Sequence, residues 1–270
     1  MEEQLELQVL EDSDEENDVK YPLPATYRSN LAMLNYENLE SRIKKYGDYI
    51  WTVDDCFIDF DNYLEFIKRL PYTYDKDLNN AAYLYRSDIS FAQTYKDHFQ
   101  EWVQTVLERE ILLNPNDHTR FHMQSSFFSK AWYDMHYINL PPHRDDYNEP
   151  VLDITKKPTQ DRVVPYVILF YMNDGLGTSI YKAKNSAIEN MNVYDRLYTF
   201  DFVPAQFGDN YKLFYEEIFS SAGKKNSAIL YPRNAPHRVT KYKNGKSQVD
   251  VFEAEGRFYL MYAFDVPSLV

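Results

Sequence analysis

The stretch KAWYDMHYINLPPHRDD, residues 130–146, decides how this chain is read. Its first ten residues alternate as a strand does: Tyr133, Met135, Tyr137 and Asn139 share one face, and Trp132, Asp134, His136 and Ile138 share the other. Carried past Pro141 and Pro142, the same alternation brings His143 and Asp145 to the first face, close enough to chelate one ion. Asp146 competes with Asp145, but the two-residue spacing from His143 favours Asp145. A third ligand must come from a different strand, and YPRNAPHRV (231–239) offers His237. Two neutral imidazoles and one carboxylate are the donor set that suits non-haem Fe(II) and leaves coordination positions open.

Composition sets the frame for that site. The 270 residues suffice for one large β domain with helical additions, or for two small domains. A hydrophobic content of 44% supports a sizeable core, and 25 Tyr, 17 Phe and 3 Trp favour packed strands. Only 7 Gly are present, and none forms a Gly-rich phosphate loop. The first nineteen residues supply nine acidic side chains with no Lys or Arg against them, so only −4 of the −13 net charge belongs to the rest. Residues 1–20 therefore read as a solvated, disordered tail. The mildly acidic body argues against nucleic acid as a partner, which calls for a basic surface. Cys56 is alone, no run approaches eighteen apolar residues, and the acidic start is the opposite of a signal peptide. These features predict a soluble, cytoplasmic protein with no membrane partner, and they carry no signal for oligomeric state.

Along the chain, YPLPATYRSN reads as an extended connector and YENLESRIKKYG as a short amphipathic helix ending at Gly47. DYIWTVDDCF follows as a strand and FDNYLEFIKRL as a helix stopping before Pro71. FAQTYKDHFQEWVQTVLEREILL is the clearest helix, with Phe91, Tyr95, Phe99, Trp102, Val106 and Leu107 near one face. Further strands are expected at VVPYVILFYMN, NSAILYP, HRVTKY and GRFYLMYAF, with an unassigned insertion near 182–226. Helices followed by strands predict an α+β fold: residues 21–124 as an N-terminal helical and strand extension, 125–270 as an antiparallel sandwich core.

The segment Lys130–Phe264 resembles the 2-oxoglutarate- and Fe(II)-dependent dioxygenase superfamily, in its prolyl-hydroxylase-like branch. The matching features occur in order: an aromatic strand into H-x-D at His143 and Asp145, the turn in VILFYMNDGLGTSIY, the distal His237, and a last strand opening with Arg257. The resemblance implies a double-stranded β-helix, a jelly-roll or cupin-like core, with N-terminal packing helices. It implies His143, Asp145 and His237 as metal ligands and catalytic centre, with Fe(II), O2 and 2-oxoglutarate as cofactors and ascorbate as an accessory. Arg257 would hold the far carboxylate of 2-oxoglutarate as a planar, permanently charged partner, with hydroxyl support from Tyr133 and Tyr137. The substrate class it implies is a peptide, an amino acid or another small molecule, hydroxylated at a C–H bond. This chain departs from the pattern in the stiff NLPPHRDD approach and in a long interval from His237 to Arg257, which leaves Arg233 and Arg238 as rivals for the carboxylate.

Two other classes use the same sandwich. One is a non-enzymatic binding module recruited through the acidic tail; the other is a cupin-like metal-dependent lyase or isomerase that does not take 2-oxoglutarate. His98, His118, His122 and His136 lack partners at ligand spacing and read as structural.

Overall fold

A computed structural model describes residues 34–68, 72–74, 84–87, 93–113, 120–124, 142–145, 152–157, 163–174, 177–185, 210–239 and 257–267. The chain enters through a single helical turn, α1 (Leu39–Arg42), and a hairpin of β1 (Ile43–Tyr46) and β2 (Ile50–Val53). Helix α2 (Phe60–Lys68), strands β3 (Tyr72–Tyr74) and β4 (Leu84–Ser87), and helix α3 (Gln93–Leu107) follow. Then come β5 (Leu112–Leu113), β6 (Arg120–Gln124), β7 (Val164–Tyr171), β8 (Thr178–Ala183), β9 (Tyr215–Ser220), β10 (Ser227–Pro232), β11 (His237–Val239) and β12 (Arg257–Val266). The expected strand 130–139, with Tyr133 and Tyr137, lies outside the described residues, as do Asp146 and the acidic tail.

The described strands form two antiparallel sheets. The large one runs β1-β2-β10-β7-β12-β6-β4-β3, with β5 pairing on β12; the small one runs β11-β8-β9. Strand β7 shows how they stack. All eight of its side chains are buried, because each face of the strand has its own cover. Val164, Tyr166, Ile168 and Phe170 join the core against α2 and α3, while Val167, Leu169 and Tyr171 join a second core that includes Ile180 of the small sheet. A strand covered on both sides loses the polar alternation of a half-solvated one, which is why its sequence is a continuous apolar run.

The helices pack as their spacing requires. Phe99, Trp102, Val103, Val106 and Leu107 of α3 are all buried, and Trp102 also donates its indole N–H to Asn35 O at 3.2 Å. Phe170 sits among the rings of Phe57, Phe99 and Trp102 at centroid separations of 5.0, 5.6 and 5.6 Å. No helix among the described residues is long and apolar enough to cross a membrane.

Two sequence expectations need revision. YENLESRIKKYG is helical only over Leu39–Arg42; Ile43–Tyr46 is strand, paired from Ile43↔Val53 to Tyr46↔Ile50. Pairing with β2 outweighs a local helix preference that one short amphipathic segment cannot sustain alone. Gly47, at φ +61, supplies the left-handed residue that turns the hairpin. The stretch 182–226, left unassigned in the sequence, contributes β9, the edge strand of the small sheet.

Replacing Phe170 by Ala should lower stability by about 3–5 kcal/mol, the usual cost of emptying a packed aromatic site. Urea or guanidinium unfolding measures it, and a loss under about 1 kcal/mol would contradict the packing described.

Candidate metal centre

His143 and His237 form an isolated antiparallel bridge. The two residues exchange both backbone hydrogen bonds, His143 N to His237 O at 2.9 Å and His237 N to His143 O at 2.8 Å. Directly opposed residues of such a pair project their side chains to the same side. The register therefore sets the two imidazoles side by side, with ring centroids 4.7 Å apart. Asp145, two residues on from His143, returns to that side by strand alternation. Its carboxylate oxygens lie 3.4 Å from His237 Nε2 and 3.9 Å from His143 Nε2. One donor atom from each of the three lies within 4.8 Å of the others.

The turn between β10 and β11 holds this arrangement. Arg233 O accepts from Asp145 N, Asn234 O from Leu152 N, and Pro236 O from Tyr181 N. Ala235 O lies 3.0 Å from His237 Nδ1. A backbone carbonyl can only accept, so His237 donates there through Nδ1; when the ring is neutral its Nε2 carries the lone pair a cation would take, and when the ring is protonated Nε2 donates toward Asp145. Binding a metal through Nε2 with Nδ1 hydrogen-bonded is the usual device for fixing a ligand imidazole.

The electrostatics agree with the geometry. Burial alone would raise the Asp145 pKa, but the charge and hydrogen bond of His237, then His143 and Arg233, outweigh it and leave the carboxyl well below its ordinary range. An ionised carboxylate is the form a cation requires. The three ligands differ in exposure: the His237 side chain keeps 7% of its surface, His143 28% and Asp145 36%. A buried imidazole thus forms the floor of the site, and the other two donors reach the surface.

Strand alternation places one of the rival cations. Arg238 follows His237 on β11 and turns to the opposite side, where its guanidinium lies 4.3 Å over the Tyr211 ring beside Tyr181. Arg233 lies near enough to help depress the Asp145 pKa. The side chain of Arg257 lies outside the described residues, but its backbone opens β12 opposite Gln124. His98 packs against Tyr36 with ring centroids 5.7 Å apart; the side chain of His122, and His118 and His136 altogether, lie outside the described residues.

Sequence reasoning missed the Tyr231 ring, 4.9 Å from that of His237, and the segment 152–157. There Asp153 accepts from Thr155 N and Oγ1 and pairs with Lys156 at 3.2 Å and Lys182 at 3.5 Å. Lys182 also donates to Thr155 Oγ1 at 3.1 Å, which ties this segment to β8. The P-R-N-A-P run before His237 was the available signal, since two prolines around so short a turn mark a rigid connection.

No family model matches the chain, and no curated protein matches it. Among solved structures, the fold is similar to the non-heme alpha-ketoglutarate-dependent epimerase SnoN from nogalamycin biosynthesis, at 10% identity and a TM-score of 0.44, over 84% of this chain and 81% of that one. It is similar to HygX from Streptomyces hygroscopicus with nickel and 2-oxoglutarate bound, at 11% identity and a TM-score of 0.43, over 92% and 88%. A third is an oxidoreductase of the 2OG-Fe(II) oxygenase family from Burkholderia pseudomallei, at 10% identity and a TM-score of 0.37, over 78% of each chain. The neighbours are thus 2-oxoglutarate-dependent enzymes, but likeness this shallow carries no function across to this chain.

Two outcomes follow from the site. His237→Ala should weaken Ni(II) binding, followed by calorimetry, by at least about 100-fold, since even partners outside the coordination sphere cost 10–100-fold. For Asp153, burial would raise the pKa, but Thr155, Lys156 and Lys182 lower it below 3.8. A depressed carboxylate pKa adds stability that is full above the unfolded value and lost as pH falls through the folded one. Asp153→Asn should therefore cost up to about 1 kcal/mol at neutral pH in urea unfolding. The difference should vanish in acid, and one that persists there would assign it to packing.

Proposed function

We propose that this chain is an Fe(II)- and 2-oxoglutarate-dependent oxygenase that hydroxylates a C–H bond of a peptide, an amino acid or another small molecule. The observation that carries the reading is the backbone register that brings His143, Asp145 and His237 to one side of the small sheet. The strand order supports a jelly-roll core. With residue 143 paired to β11, the small sheet reads 143, β11, β8, β9, against β6, β12, β7, β10 in the large sheet. The chain crosses between the sheets at each step except from β8 to β9, the pattern of two interleaved Greek keys.

The donor set fits Fe(II): one tautomer-fixed imidazole, one further imidazole and one ionised carboxylate. Fe(II), when bound there, supplies oxygen activation coupled to decarboxylation of 2-oxoglutarate to succinate and CO2. The chain's own part is to bind, orient and keep water out. His237 and Asp145 are set by the carbonyls of the 233–236 turn. Tyr231, whose ring packs on that of His237, belongs with Ile180 and Ile229 to the buried core between the sheets. Arg257 is assigned the far carboxylate of 2-oxoglutarate, with Tyr133 and Tyr137 giving hydroxyl contacts to the same molecule. A guanidinium there gives a paired, planar contact that Lys cannot reproduce.

Anaerobic addition of Fe(II) and 2-oxoglutarate should produce a weak visible absorption band. The proposal fails if the wild type gives none, or if the band survives in a His143→Ala/His237→Ala variant. Arg257→Ala should raise the 2-oxoglutarate KM at least about tenfold, as expected for loss of a hydrogen-bonded charge, with metal affinity unchanged. Activity that needs no 2-oxoglutarate, left intact along with metal binding in Arg257→Ala, would favour a metal-dependent lyase or isomerase on the same scaffold.

A further inference from the structure

At the mouth of the small sheet, beside the metal ligands, one ammonium group is held in place with a donor to spare. Strand β8 turns Tyr181 and Ala183 into an outer cluster with Tyr211 and Tyr215. It turns Ile180 the other way, into the core between the sheets. Lys182 leaves the strand on the same side as Ile180, the side that carries His237. Ile180 lies directly opposite His237, so Lys182 starts two residues, or roughly 7 Å, further along β8. That direction leads to the 233–236 turn, where Pro236 O accepts from Tyr181 N and Arg233 O from Asp145 N. Lys182 keeps 37% of its side-chain surface and Asp145 36%, so both stand at the opening.

Segment 152–157 fixes that ammonium. Lys182 Nζ donates to Thr155 Oγ1 at 3.1 Å and pairs with Asp153 Oδ2 at 3.5 Å. Glu216 lies opposite Lys182 in register, yet the ammonium goes to Asp153 and Thr155. Asp153 is held in turn: its Oδ1 accepts from Thr155 N and Oγ1, and its Oδ2 pairs with Lys156 at 3.2 Å. Leu152 N donates to Asn234 O, and Ile154 packs on both cores, which ties the segment to the turn that holds Asp145. A lysine ammonium has three protons and no acceptor. Two are directed at Asp153 and Thr155; the third has no acceptor among the described residues.

We propose that Lys182 is a specificity residue whose remaining donor takes an anionic group, carboxylate or phosphate, of a substrate that enters beside Asp145. An anion that only accepts matches a positive group that only donates; a cationic substrate does not. The proposal rests on the oxygenase reading for the substrate role and narrows that substrate to an acid. The anion is not the cosubstrate's. Tyr171 OH reaches Thr178 Oγ1 at 2.8 Å and Ser221 Oγ at 2.9 Å, at the end of β8 remote from Lys182. Strand β12 opens at that same end, with Arg257 two residues before Tyr259, the cross-strand partner of Tyr171. Lys182 lies four residues, or roughly 13 Å, from Thr178 along β8, and so serves a second ligand.

The test is phosphorus NMR of inorganic phosphate titrated into full-length protein carrying Co(II) and saturating 2-oxoglutarate, with the Zn(II) form as the diamagnetic reference. Phosphate held beside the ligands should be broadened by Co(II). Lys182→Gln should weaken phosphate about tenfold, the scale of a hydrogen bond between charged groups. Lys182→Arg should restore it, and Co(II) and 2-oxoglutarate affinities should stay as in the wild type. Asp153→Asn separates anion binding from a strap that merely ties segment 152–157 to β8. It releases the ammonium from its competing carboxylate, so phosphate should bind more tightly, whereas a strap predicts no gain. A wild type that takes up 2-oxoglutarate but no phosphate overturns the Lys182 assignment alone. So does binding that survives in Lys182→Gln, falls equally in Lys157→Gln, or fails to rise in Asp153→Asn. A wild type that binds phosphate through Lys182 but takes up no 2-oxoglutarate overturns the oxygenase reading, and the substrate role of Lys182 goes with it. Should Lys182→Gln fail to fold, Asp153→Asn decides by the same criterion.

Discussion

Five consecutive carbonyls, from Arg233 to His237, hold the site together. They accept, in order, from Asp145 N, Leu152 N, His237 Nδ1, Tyr181 N and His143 N. Two of the candidate ligands hang from this turn, the third lies at its end, and strand β8 is clamped to its side. A carbonyl that receives a donor from another segment cannot move without stranding both groups away from water. The arrangement of His143, Asp145 and His237 is therefore a backbone property. Pro232 and Pro236 add to this by restricting the chain on either side of the turn.

That turn is rigid because its two flanking strands belong to different sheets. β10 is buried in the large sheet between β2 and β7, and β11 pairs with β8 in the small one. The large sheet is in turn backed by α2 and α3, whose Phe60, Tyr63, Phe99 and Trp102 fill the outer core. The helices help to bury the strand from which the turn departs. Packing on one face of a sheet thus sets the geometry on the other, as close packing transmits displacement. The burial gradient across the ligands follows from this: His237 is enclosed by Tyr231 and the inner core, while Asp145 stands at the edge.

Much of the scaffold could be read from local patterns. α3 shows a helical stripe, and β7 shows an apolar run too short for most helices and rich in β-branched and aromatic residues. Both patterns reflect burial that a single element records in its own residues. Ile43–Tyr46 did not, because its strand character comes from β2 rather than from its own composition. Arg238 shows the same limit at the site. In sequence it is an attractive cation beside a ligand histidine; in the fold, strand alternation turns it onto Tyr211.

The sequence by itself determined the donor types, the two-residue spacing of His143 and Asp145, and the apolar strands around them. These are local facts, written in residues that are neighbours along the chain. Only the tertiary structure decided that His143 lies opposite His237, that Asp145 reports to Arg233, and that Ser221 reaches Tyr171. The reason is physical. The apolar pattern of a strand fixes which face it buries, but backbone donors and acceptors are alike at every residue, so the local sequence leaves open which distant segment it pairs with.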